Sequence, residues 1–458
     1  MKLKILHTND IHSNFVNFSK IASKIEELTD ENTLVLDAGD FADFKSIELQ
    51  GTDGLAAVEL LEAAGYDAIT IGNNETFNGL GILTNMALNS KLPFLSCNFN
   101  KVGGDSIEGV KKSTIIEKAS KKFLILGISP DLGVFNELNG LELIEYKKAI
   151  SDELEKNKGK YDFCILLSHF GMTLDEEIAE EFKEIDIIIG GHFHILMEVP
   201  ATKNNTIIHT SGCFGEYLGY LEFDIQEDKL QLLEGKNINI EKEPASENIK
   251  EVLKVNKNKA IEKLSQPLYT LDEDLWHDVV EENPISNFLA DALRDFYDTD
   301  LGIINSGVLN GGIKKGNVSK KKLIDICPSP LNPTYFEIQG RDLKAALEAS
   351  LDSELCMSDG KGPGFRGKYL GRLHVSNAVI EHDGRIVLNI LVGGNKIEED
   401  KWYTVATSDY LHRGTGYTNM KNNRNEKYDE DYLRDTLRKY LCKEEFVKKA
   451  LQDRWILK

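Results

Sequence analysis

An α/β fold is expected from three features of the chain. Short apolar runs alternate with amphipathic stretches through the first half, strands stand alone from about residue 206 to 240, and a second mixed segment starts near residue 283. In order, "LKIL" (3–6) precedes the helix-like "FSKIASKIEEL" (18–28), and "TLVLDA" (33–38) precedes "GLAAVELLEAAG" (54–65). "DAITI" (67–71) precedes "GLGILTNMAL" (79–88), "FCILL" (163–167) leads to "LDEEIAEEF" (174–182), and "IDIIIG" (185–190) follows. Strands interleaved with helices indicate βαβ units and mostly parallel pairing. "TIIHTS", "YLGYLEFDI" and "LQLLEG" then read as strands without helices. Residues 242–266 are highly charged with sparse apolar positions at helical spacing, which suggests a solvated linker helix. The expected organisation is therefore a first domain over 1–241, the linker helix over 242–266 and a second domain over 267–458.

Composition narrows the function. At 458 residues the chain exceeds one ordinary core, and 41% hydrophobic with 28% charged residues is a globular profile. A formal charge of −21 argues against binding nucleic-acid polymers or anionic membranes, and would repel anionic substrates unless the site holds its own cations. The start, "MKLKILHTND", lacks the apolar core of a signal peptide, and no stretch reaches the length of a membrane span. Cys97, Cys164, Cys213, Cys327, Cys356 and Cys442 show no CxxC spacing, so reduced, structural thiols in a cytoplasmic protein are expected.

Chemistry collects at the strand ends of the first half. "KILHTNDIH" ends in Asp10 and His12, "VLDAGD" in Asp40 and "ITIGNN" in Asn73. "ILLSH" ends in His169 and "IIIGGHFH" in His192 and His194. Taken singly, each has an ordinary reading as a helix cap, a turn residue or a packed histidine. Five successive strands that each finish in a possible metal donor are harder to ascribe to chance, and ligands collect beyond the carboxyl ends of strands in open α/β sheets. Carboxylates, imidazoles and one amide without thiolates suit Zn²⁺, Mn²⁺ or Fe. Seven donors exceed one tetrahedral ion and fit two, which can clamp a phosphoryl group and acidify a shared water.

"LHTNDIH", "GD", "GNNE", "SHFG" and "GGHFH" together resemble the ordered motifs of the calcineurin-like metallophosphoesterases, and "LHTND" at the start resembles the 5′-nucleotidase family in particular. "ENPISNFLADALRDF", "INSGVLNGG", "FEIQGRDLKAALEAS", "LHVSN" and "WYTVATSDYLHRGTGY" follow in the order of that family's C-terminal domain. The resemblance implies a four-layer αββα sandwich followed by an α/β substrate-binding domain. It implies that Asp10, His12 and His194 hold one ion, that Asn73, His169 and His192 hold the other, and that Asp40 bridges them. The implied reaction is hydrolysis of a phosphate ester on a small, nucleotide-like substrate by a hydroxide shared between two divalent ions.

Two departures qualify that expectation. Asn74 stands where the family has the histidine of Gly-Asn-His-Glu, and Thr76-Phe77 replaces the usual Phe-Asp. Asn74 can donate a hydrogen bond but cannot shuttle a proton at neutral pH. In the second domain, Asn310 falls on the family's phosphate-binding arginine, Arg372 on a base-stacking phenylalanine and Thr415 on a ribose-binding aspartate, whereas Tyr410 keeps its aromatic character. Arg366, Lys368 and Arg372 in "GPGFRGKYLGR" are either a solvated loop or a relocated anion clamp, since forked guanidiniums suit phosphate oxygens. The alternatives are a phosphodiesterase or pyrophosphatase, whose better leaving group needs no acid, and a degenerate protein that only binds a phosphorylated ligand.

Overall fold

A computed structural model describes residues 2–226 and 229–458, which form two compact units, Met1–Ile261 and Glu262–Lys458. The first unit is built on β1 (Lys2–Thr8), β2 (Thr33–Asp37), β3 (Ala68–Thr70), β4 (Phe94–Leu95), β5 (Phe99–Lys101), β6 (Val110–Lys111), β7 (Ser113–Lys118) and β8 (Lys121–Ile128). It continues with β9 (Leu141–Leu143), β10 (Phe163–Ser168), β11 (Ile187–Gly190), β12 (Ala201–Lys203), β13 (Thr206–His209), β14 (Tyr217–Gln226) and β15 (Lys229–Asn239). One sheet has the order β15-β14-β1-β2-β3-β4-β6 and the other β12-β13-β11-β10-β8-β7, with β5 and β9 forming a small hairpin-like pair.

The layers follow from the two-residue period of the strands. On β8, Phe123 and Ile125 face a core shared with Leu3, Ile5, Leu34 and Leu36 of the other sheet. The alternate residues Leu124 and Leu126 pack outward with Ile150 and Ile178 of covering helices. Leu6, Val35 and Ile69 likewise point away from the partner sheet, toward Phe18, Ile21 and Leu60 on the opposite helical layer. Strands buried on both faces have no polar face to show, which is why they read as continuous apolar runs. The result is a four-layer αββα sandwich. β1, β2 and β3 are mutually parallel, as are β10 and β11, so the carboxyl ends that carry the donor residues point the same way within each sheet.

The helix Glu247–Leu264 is less solvated than its charge suggests. Ile249, Asn256 and Ala260 are buried, and a methyl group on Gly51 would lie 2.3 Å from Ala260. Asn256 also donates to Glu59 at 2.6 Å. A narrow stripe of small and apolar residues was enough to seat the helix on the first unit's outer layer, and charge content alone hid it.

The second unit centres on a five-stranded sheet in the order Leu373–Ser376, Leu301–Asn305, Trp402–Ser408, Pro333–Gln339 and Asn423–Tyr428. The helix Pro284–Tyr297 packs against it, started by Asn283, whose side chain accepts from the Ser286 N–H. That helix start also fixes His374. Asn283 Nδ2 lies 3.2 Å from its Nε2, and Asn287 Oδ1 lies 3.2 Å from its Nδ1, so the neutral ring is satisfied on both sides. Burial first, then the Arg372 charge, holds this histidine well below its ordinary value. The unfolded chain therefore takes up a proton below about pH 6.5 that the folded chain refuses, and stability falls as the pH drops. Urea titrations at pH 7.5 and 5.5 should show wild type losing about 1 kcal/mol more than His374→Gln over that interval. Equal losses would remove His374 as the cause.

Candidate metal centre

After β1, β2 and β11 the chain turns sharply, and the turn is made by the donor residues themselves. Asp10 (φ 51°), His12 (48°), Asp40 (55°), His192 (75°) and His194 (57°) all hold left-handed backbone. Asp and His tolerate that region better than most residues, yet it remains unfavourable and concentrates at functional sites. Backbone hydrogen bonds stitch the turns together: Asp10 N–H to Gly39 O, and His12 N–H to Asp40 O, each at 2.9 Å. Gly72 is required by close approach, because a methyl group there would meet Asp40 Oδ1 at 2.2 Å.

The donor atoms converge. Asp10 Oδ1 lies 3.7 Å from His12 Nε2, 3.4 Å from His194 Nε2 and 3.7 Å from His169 Nε2. Asp40 Oδ2 lies 3.8 Å from His12 Nε2 and 3.4 Å from His169 Nε2, and the Nε2 atoms of His12 and His194 are 3.1 Å apart. Ligands about 2.0–2.2 Å from a tetrahedral ion sit about 3.3–3.6 Å from one another, so these spacings fit. Asp10 Oδ1, Asn73 Oδ1 and His169 Nε2 are buried without a hydrogen-bond partner among the described residues. A buried polar atom left unpaired is costly, and a cation is what this donor set would accept. Asp10, His12 and His194 form one group and Asp10, Asp40 and His169 a second, so Asp10 is common to both, while Asp40 belongs to the second and comes within 3.8 Å of His12 Nε2 in the first. The His192 ring packs edge-on against His169, with centroids 5.1 Å apart.

Supporting bonds orient the donors. His169 Nδ1 donates to Ala38 O at 2.7 Å, which leaves Nε2 with its lone pair toward the carboxylates. Asp10 Oδ2 accepts from Asn9 Nδ2 at 2.7 Å and from the His192 N–H at 2.9 Å, leaving Oδ1 for a metal. The Glu75 carboxylate accepts from the N–H groups of Asp40 (3.1 Å), Ala42 (2.8 Å) and Gly72 (2.8 Å), tying the β2 turn to the β3 turn. Burial and the nearby Asp40 push Glu75 up to about 7. Burial opposes ionising His169, but Asp40 and Asp10 overcome it and push the ring up to about 10. The carboxylates thus demand a cation at this point, and a divalent ion would displace protons to bind.

Asn74 is buried and turned onto Asp40. Its backbone N–H donates to Oδ1 at 2.8 Å and its Nδ2 to Oδ2 at 2.6 Å. The open side of the cluster is formed by His192, His194 and Asn73, which are only partly buried or exposed.

Asn310 is exposed and reaches Arg366 O at 3.5 Å, while Arg366 Nη1 donates to Phe365 O at 3.2 Å. Lys368 is exposed above the Tyr369 ring. Arg372 is buried rather than displayed on a solvated loop: its guanidinium lies 4.1 Å from the centre of the Trp455 ring, and Nη1 donates to Val280 O at 3.4 Å. Tyr410 is also buried, stacked on Phe365 with centroids 4.6 Å apart. Glu75 and Asn9 were the positioning residues least visible in sequence; their only signal was adjacency to donors in "GNNE" and "HTND".

Comparison with known proteins agrees with this geometry. Residues 3–196 match the model of the calcineurin-like phosphoesterases and residues 260–422 that of the 5′-nucleotidase C-terminal domain. A metallophosphoesterase of Bacillus subtilis, YunD, is 30% identical over 463 residues, covering 95% of this chain and 98% of that one. The chain belongs to the calcineurin-like phosphoesterase family. As a member with the 5′-nucleotidase-type C-terminal domain, it is a metal-dependent phosphoester hydrolase. The trifunctional nucleotide phosphoesterase YfkN of Bacillus subtilis is 26% identical over 91% of this chain, which spans 32% of that longer protein. The NAD nucleotidase of Haemophilus influenzae shares the fold, with a TM-score of 0.66 at 16% identity over 100% of this chain and 97% of its own.

If the two groups hold two ions with Asp40 between them, Asp40→Asn should lower bound Mn²⁺ from two equivalents to one or fewer. A neutral bridge leaves two dications less screened from each other. Elemental analysis after dialysis reads this directly, and two full equivalents in the variant would contradict the shared position of Asp40.

Proposed function

We propose that the chain hydrolyses a small, nucleotide-like phosphate ester or anhydride with a good leaving group, at a centre of two divalent ions, Mn²⁺, Zn²⁺ or Fe. The observation that carries this is the convergence of Asp10, His12, Asp40, His169 and His194 around unpartnered buried donor atoms. Bound ions would stabilise charge on the phosphoryl oxygens and acidify a water. Asp10 is common to the two groups and Asp40 lies in the second; Asn73 and His192 are proposed to complete the second group with Asp40 as the shared ligand, and Glu75 fixes the turn that presents Asp40. The YfkN relative supports a nucleotide-like substrate.

Asn74 sets the preference for leaving group. Its backbone N–H holds Asp40 Oδ1 and its side-chain amide holds Oδ2, so its part is to position a ligand, and an amide has no proton to give a departing alkoxide. Alkyl monoesters need that proton, whereas aryl phosphates, diesters with a good leaving group and pyrophosphates do not. This favours the phosphodiesterase or pyrophosphatase alternative over ordinary monoester hydrolysis. Arg366 and Lys368, with Asn310 reaching the Arg366 carbonyl, are proposed to bind a polar part of the substrate. Arg372 and Tyr410, being buried, are proposed to shape that region from beneath.

Kinetics with Mn²⁺-loaded protein test the reading. An aryl phosphate should be turned over at least about 10²-fold faster than an alkyl phosphate, the usual worth of a missing general acid. Comparable rates on both would mean another group supplies the proton. Asn74→Ala should weaken Mn²⁺ binding by about 10–100-fold, as loss of a ligand-orienting bond commonly does. Unchanged affinity and rate would leave Asn74 without a role.

A further inference from the structure

Two phenylalanines flank the donor cluster, and the reaction as described uses neither. Phe214 follows Cys213 in "SGCFGE", and its ring lies 5.6 Å from His12 and 5.7 Å from His194. Phe193 sits between the two donor histidines of "GGHFH", with its ring 5.3 Å from His192. The same ring packs close to the turn after His169, where a methyl group on Gly171 would meet it at 2.7 Å. One ring therefore stands on the His12/His194 side of the cluster and the other on the His169/His192 side.

Both rings are open to solvent, Phe193 at 54% and Phe214 at 40%. Phe214 also holds left-handed backbone (φ 55°), an uncommon conformation for a bulky aromatic residue. Its N–H donates to Asp10 O at 2.7 Å, and its carbonyl accepts from Asn17 Nδ2 at 2.9 Å, so the strained turn is pinned to the loop that carries Asp10. An exposed ring in a strained turn contributes little to folding, and such strain collects where function needs it. The second unit offers no comparable open pair at Tyr410, because Phe365 already covers that ring and both are buried.

We propose that Phe193 and Phe214 form an aromatic bracket that binds the planar organic group of the substrate directly beside the metal centre, and so select aryl or heteroaryl phosphates and phosphonates over small alkyl ones. The inference rests on the hydrolase reading above and adds the class of group attached to phosphorus. The two rings present π-faces or edges, which attract a planar group by stacking and by excluding water. A methyl or ethyl group leaves them uncovered.

Phenylphosphonate and methylphosphonate, which are not hydrolysed, separate the two ideas when titrated calorimetrically into Mn²⁺-loaded protein. Wild type should bind the phenyl compound about tenfold or more tightly than the methyl compound. Phe193→Ser combined with Phe214→Asn, the latter chosen because Asn tolerates left-handed backbone, should reduce that ratio to about threefold or less. Methylphosphonate affinity and metal stoichiometry should stay unchanged in the variant. Methylphosphonate binding without a phenyl preference, or a preference that survives the double substitution, would overturn the bracket alone. If wild type bound neither compound, the phosphoester reading of the metal centre would fail instead.

Discussion

The structure depends on one constraint: the chain must reverse at the donor residues themselves. Five of them sit at φ between 48° and 75°, where a residue other than glycine costs about 1–3 kcal/mol. That cost is offset by the bonds that cross between turns, chiefly Glu75 on three N–H groups and Asp10 with its neighbours Asn9 and His192. Parallel strands bring the turns to a common edge, and the small residues Gly39 and Gly72 let them meet. Without the reversals Asp10, His12, Asp40, His192 and His194 would follow their strands outward rather than turn toward His169.

Charge explains why such a site suits an acidic protein. With a formal charge of −21, the chain would turn away a phosphate unless positive charge were concentrated locally. Asp10 and Asp40 look like the wrong residues for that task until their demand for a cation is counted. His169 and His194, each pushed up to about 10, show the demand in protonic form. Burial resists charging His169, and for His194 the bond to Asp10 leads, with the Cys213 thiol adding to it. A divalent ion answers the same demand with more charge and with empty coordination positions for substrate oxygens.

Much of this was legible in the sequence because strand ends and donor types coincide. "VLDAGD" or "IIIGGHFH" announces a buried strand, a turn and a candidate donor in one short segment, so both the sandwich and the side chains that converge at its strand ends could be read locally. What could not be read depends on partners far away in the chain. Arg372 reads as part of either a solvated loop or an anion clamp, yet it is buried over Trp455, and Tyr410, which reads as a substrate-binding aromatic, is covered by Phe365. The helix Glu247–Leu264 reads as solvated because its buried stripe is only a few residues wide, and Gly51, which receives it, lies about two hundred residues earlier. Asn74 was recognisable as a departure, but its bonds to Asp40 needed the fold. The exposed rings of Phe193 and Phe214 were hidden in plain view between donors, since a phenylalanine in an apolar strand context is ordinarily core.

The central claim is that these reversals assemble one centre for two ions. Anomalous diffraction from crystals grown with Mn²⁺ tests it most directly. The account predicts two peaks about 3.5–4 Å apart, with Asp40 between them and Asn73 Oδ1 and His169 Nε2 directed at the same ion. A single peak, or two peaks without Asp40 between them, would contradict it.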